Sequence, residues 1–139
     1  MVEIINLQAV SPDGSLRPIE LRLHGVEEVV IEVVLDGSSI GEFVGCNISS
    51  SLRRARRGVE DNGLIICCQG ARQDVHSSGM LQQFSNGREA YVLRDGVDMA
   101  SAEVVDVLAP ADPADVNTVD AQEMNIFRFF GLARPGNDQ

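Results

Sequence analysis

From Ile19 to Leu35 apolar side chains return at every second position, and this period of two constrains the fold more than any other feature of the chain. Ile19, Leu21 and Leu23 alternate with Glu20, Arg22 and His24. After a polar break, Val29, Ile31, Val33 and Leu35 align again, with Glu32 on the opposite side. Successive side chains of a strand point to opposite faces, so both runs read as half-buried strands of an antiparallel sheet. Residues 2–10 read as a further strand. The segment Ser11-Pro12-Asp13-Gly14-Ser15 then makes a hairpin turn, because Pro presets φ, Asp bonds locally and Gly supplies a positive φ. Asp36-Gly37 ends the third strand.

Downstream the pattern mixes periods. Ser49, Ser50 and Ser51 offer N-cap oxygens to a short helix over 52–61 that Asn62-Gly63 stops. Its Leu52, Ala55 and Val59 face inward, and Arg53, Arg54, Arg56 and Arg57 are expected to project outward. Residues 64–68 read as a short apolar strand with Cys67 and Cys68 on opposite faces, 79–85 as one or two helical turns capped by Ser77 or Ser78, and 90–94 and 103–108 as strands. A Pro- and Asp-rich connection leads to a last helix, with Asp120 and Glu123 as a capping box. Met124, Phe127 and Phe130 lie on one face of it and Ile126 and Phe129 beside them. With three of the chain's five Phe, it is expected to be the main lid over the sheet, closed by Gly131. The predicted fold is α+β: a mostly antiparallel sheet of about six strands packed by a C-terminal helix, with one or two short additional helices. One domain spans 1–132 and a frayed tail 133–139; 139 residues suffice for a core without disulfides or a structural metal.

The net charge of −10 is unevenly spread. Residues 51–94 hold seven Arg against four acids, whereas both flanks are strongly acidic. Such a chain repels nucleic acid and anionic membrane and speeds encounter with a cationic partner. Three cysteines, two of them adjacent, form neither a disulfide framework nor a paired metal motif. The first residues lack a basic n-region and the apolar runs are too short for a membrane span, so a cytoplasmic location with reduced thiols is expected.

Only residues 64–94 crowd titratable, nucleophilic and flexible residues between apolar runs. Cys67 or Cys68, His76 and Asp74 superficially supply thiol, base and orienter. Both cysteines, however, belong to an apolar run, the setting of an inert thiol, so no catalytic residue is expected. In the following loop an extended backbone aims Arg72, Asp74 and His76 to one side, beside Ser77, Ser78 and the flexible Gly70 and Gly79. That arrangement suits an anion. It equally suits an Arg72–Asp74 salt bridge with His76 solvated. One His without a second ligand at a useful spacing makes no metal site, His24 is far away in sequence, and no phosphate-loop motif occurs, so neither metal nor cofactor is expected. The Arg53, Arg54, Arg56, Arg57 cluster lacks an aromatic for stacking and reads as a solvated face paired with Glu60 and Asp61. Asp95, Asp98, Glu103, Asp106, Asp112 and Asp115, continued by Asp120, can present a negative surface.

The small acidic chain with GLIICCQGARQDVHSSGM followed by GREAYVL resembles bacterial immunity proteins of contact-dependent and other polymorphic toxin systems. The resemblance implies a cytoplasmic, non-enzymatic inhibitor that occludes a cationic toxin domain such as a nuclease. The acids from Asp95 to Asp115 are its preferred contact region. The competing expectation is a small ligand-binding or enzymatic domain with an anion pocket at the 70–80 loop, where Arg72 grips the anion and His76 acts as acid or base. A homo-oligomer formed through strand edges or the Phe-rich helix is a third.

Overall fold

The computed structural model describes residues 2–78 and 85–131. The helical turns expected at 79–85, Ser85 excepted, and the tail at 133–139 lie outside those residues. Strands β1 (Glu3–Val10), β2 (Leu16–His24), β3 (Val29–Leu35) and β4 (Ser38–Gly45) form a meander, and β5 (Ile65–Ile66) joins its far edge, giving the order β4-β3-β2-β1-β5. A second sheet holds β6 (Val75–His76), β7 (Glu89–Val92) and β8 (Val104–Asp106) in that order. Every pairing is antiparallel. Helices α1 (Ile48–Glu60) and α2 (Val119–Phe129) complete the α+β architecture, with short 3-10 turns at Gln69–Ala71 and Met99–Ser101.

The period of two becomes cross-strand rows on one face: Leu7 with Ile19 and Leu35, Ile5 with Leu21 and Val33, Leu23 with Ile31 and Phe43. Leu21, Ile31 and Val33 have no exposed surface at all. Each such burial contributes about 1.5–3 kcal/mol. A one-residue slip of β2 or β3 would turn several of these side chains to solvent and consume most of a typical net stability of about 5–15 kcal/mol, so the register is fixed.

The lid over this face is α1. Leu52, Ala55 and Val59 are buried as expected, but Arg56 is also buried, at 4% exposure. The expectation of four outward Arg is therefore corrected to three. The helix begins earlier than the serines suggested. Asn47 is its N-cap, accepting from Ser50 N at 2.9 Å, and Ser50 closes the capping box. Freed from capping, Ser51 donates to Phe43 O at 2.7 Å and ties the lid to β4. The close approach depends on Gly45, where a Cβ would run into the backbone of Ser50 and Ser51.

The C-terminal helix is not the main lid. Only Val119 and Gln122 of α2 are buried, while Met124 and Phe130 are exposed at 42% and 40%. Its cap is Thr118, which accepts from Ala121 N at 3.2 Å. Asp120 and Glu123 do not form the expected capping box; they reach across to Arg57 and Arg53 of α1. β4 is also an addition to the expected strands, and its pairing with β3 shifts register between Val33 and Val34.

Candidate functional site

Between α1, the β6 region and α2 lies a cleft of about 360 Å³. Leu52, Val75, Val119, Ala90 and Val107 give it an apolar base, and Ile126 and Phe127 of α2 an apolar wall. Polar groups enter from Ser49, Arg53 and Arg56 of α1, His76 and Ser77 at β6, and Gln122 and Glu123 of α2. A concave, mainly apolar volume of this size with a few convergent polar groups matches the ordinary anatomy of a small-molecule site.

The polar seam of the cleft is centred on Gly70. Its carbonyl accepts from Arg56 Nη1 at 3.1 Å and from Gln122 Nε2 at 2.8 Å. Arg56 Nη1 also donates to Gln122 Oε1 at 2.6 Å, and Nη2 to Asn117 O at 3.0 Å. Gln122 Nε2 further donates to Arg72 O and Val75 O at 2.7 and 3.2 Å. A residue at Gly70 larger than Gly would crowd Leu52 and Val107, which explains how the chain carries its carbonyl into the seam. Arg56 Nε is sealed from solvent and has no hydrogen-bond acceptor among the described residues. Burial pulls the guanidinium below its ordinary pKa, opposed by the nearby Cys68 sulfur and Glu60 carboxylate.

The loop residues singled out in the sequence are divided by the fold. Arg72 is held by Asp74 in a two-point bond, Nε to Oδ1 at 3.0 Å and Nη2 to Oδ2 at 2.8 Å, and by Gln69 Oε1 at 2.8 Å. The salt-bridge alternative is the observed one, and neither partner is among the residues lining the cleft. His76 and Ser77 do line it, whereas the half-buried Ser78, the second residue after β6, is not among its lining residues. His76 is not solvated: it is half-buried, stands edge-on to the Phe130 ring at 5.6 Å, and desolvation lowers its pKa. Ser77 Oγ donates to Ser49 Oγ at 2.8 Å and links β6 to the start of α1.

Cys67 and Cys68 are buried, although the strand ladder stops at Ile66. Burial raises both thiol pKa values, that of Cys68 to about 11. The acids separate into groups. Asp95, Asp98 and Glu103 share the connection between β7 and β8, where Asp98 caps Ser101 N at 3.0 Å and Glu103 pairs with Arg94 at 3.2 Å. Asp106, at the other end of β8, pairs with Arg88 at 3.2 Å. Asp112 accepts from Ala114 N at 2.9 Å, and Asp115 is exposed on the way to α2. Among the described residues no three His, Cys, Asp or Glu gather as a metal site, and no helix is long and apolar enough to cross a membrane.

Sequence reasoning missed Arg56, Gln122 and the role of Gly70. The available signal was positional: Arg56 lies one residue from Ala55 and three from Val59, at the margin of the inward stripe. No protein-family model matches the chain and no curated protein matches it, so its cleft stands on its own geometry.

Proposed function

We propose that this protein is a binding module that holds a small molecule with an apolar body in the cleft between α1 and α2. The observation that carries this reading is the lining itself: an apolar base and wall of about 360 Å³ into which Arg56, His76, Ser77 and Gln122 project from three different elements. Ligand sites combine apolar enclosure with a few polar groups in this way, and elements that come together only in the tertiary fold can position those groups. The test is a titration with the uncharged fluorophore Nile red. Saturable binding at one site per chain is expected, weakened by about tenfold or more in Ile126→Trp, which fills the cleft. A filled variant that binds the dye as the parent does would sink the reading.

A second reading keeps the acidic inhibitor of a cationic toxin domain, and one observation favours it: Asp95, Asp98 and Glu103 are all exposed on a single β7–β8 connection. Charge-steered association through such a tip is fast and salt-sensitive. Replacing all three by their amides would slow association with a cationic nuclease domain at low salt, as followed by stopped-flow. An unchanged rate would exclude the tip.

A further inference from the structure

We infer that the molecule held in the cleft carries a single carboxylate and that Arg56 receives it. This rests on the proposal that the cleft binds a small molecule, and adds the chemistry of the head group. The charged groups lining the cleft are Arg53, Arg56 and Glu123. Arg53 and Glu123 neutralise one another through an ion pair at 2.5 Å. Arg56 is different. Its three acceptors, Gly70 O, Asn117 O and Gln122 Oε1, are all neutral, and no ion pair involves it among the described residues. Glu60, one turn along α1, is committed to Val119 N at 2.9 Å.

A guanidinium at 4% exposure with no ion pair among the described residues feels only the more distant Glu60 carboxylate, whereas proteins ordinarily pair a buried charge directly. A carboxylate in the cleft meets the guanidinium where it lines the cleft and brings the opposite charge that its three neutral acceptors lack, while Nε, sealed from solvent, stays out of its reach. The cleft offers one net positive charge, which favours a monoanion over a phosphate dianion. Gln122 keeps the guanidinium in plane, its own Nε2 anchored by the carbonyls of Gly70 and Arg72. Ile126 and Phe127 then face the apolar tail.

The experiment compares octanoate with 1-octanol, which match in tail and differ in head group, by amide and Arg Nε–Hε NMR titration of the full chain. Octanoate is expected to bind at least about tenfold more tightly and to shift the Arg56 Nε–Hε resonance, because only its head group carries a charge opposite to that of the guanidinium. Arg56→Gln should reduce octanoate to the affinity of octanol, and Arg94→Gln, which removes an equal charge outside the cleft lining, should change it by less than about threefold. Equal binding of the two compounds overturns the carboxylate inference and leaves the cleft reading standing; binding of neither overturns both. Discrimination kept in Arg56→Gln, or lost equally in Arg94→Gln, takes the head group away from Arg56 and overturns the inference. Should Arg56→Gln fail to fold, an Arg56 Nε–Hε resonance unmoved by octanoate in the parent protein does the same.

Discussion

Arg56 Nη1 and Gln122 Oε1 meet at 2.6 Å although 66 positions separate them in the chain. The bond joins the helix that covers the first sheet to the helix that borders the second, and both side chains also grip the carbonyl of Gly70. Three segments distant in sequence are thus pinned by two side chains.

Removing either partner leaves buried carbonyls unsatisfied, at a cost of about 1–3 kcal/mol for each orphaned group. Arg56→Met and Gln122→Leu should each destabilise the protein by about 3 kcal/mol in urea unfolding. Because they share a bond, the double variant should lose less than the sum by about 1 kcal/mol or more. Strict additivity would mean that the two residues act independently.

Gly45→Ala should destabilise by about 2–3 kcal/mol, since the added Cβ meets the backbone of Ser50 and Ser51, which cannot rotate away. Gly14→Ala adds its methyl in open space, and suffers only the strain of a positive φ of 86°, about 1 kcal/mol. Chemical denaturation of the two variants side by side checks the order; equal losses would show that α1 does not press on β4 as described.

His76 has a lowered pKa in the fold because burial disfavours its charged form. In the unfolded chain it takes up a proton near its ordinary value of about 6.5, while the folded protein resists until lower pH. Stability therefore falls as pH drops from about 6.5 toward the folded value, and is unaffected by this group above that range. The depressed carboxyls, Glu3 beside Arg88 and Asp13 at about 2 beside Ser11 and Ser15, act in a more acidic window. NMR should place the His76 midpoint below 6.5, and Phe130→Ala should raise it by admitting water. A midpoint above 6.5 would contradict the packing against Phe130.

Of the three thiols, Cys46 is exposed and Cys67 and Cys68 are buried with raised pKa values. A thiol reagent at pH 8 should label Cys46 promptly and the other two only on unfolding, since the thiolate is the reactive form. Fast native labelling of Cys68 would show that the core beside Arg56 opens readily.

The meander was legible because Ile19 to Leu35 leaves one face to bury and a turn with defined chemistry precedes it. β4 was not. Ser38, Ser39, Gly41 and Gly45 have little strand preference, and it is the long edge of β3 that extends them. Helix α2 carried the loudest apolar signal, yet it borders the small second sheet, where Phe129 and Phe130 meet edge-on and Phe130 meets His76 of β6, rather than covering the five-stranded sheet. Sequence periodicity shows which residues share a face, not what the face meets. Arg56 was misread for the same reason: charge type argued for solvent, and the carbonyls that accept its donors lie at Gly70 and Asn117, beyond any local pattern. His76 and Ser77 of the flagged loop do reach the cleft, whereas Arg72 and Asp74 satisfy one another outside its lining.

The strand order β4-β3-β2-β1 sets neighbours in sequence side by side, while β5, the second sheet and α2 close long loops. Loop closure is entropically costly, so the meander with α1 is expected to assemble first and the remaining segments to dock onto it later. The Arg56–Gln122 seam lies across that boundary. Partial opening is expected to begin there, and amide hydrogen exchange should then register lower protection in α2 than in β2 and β3.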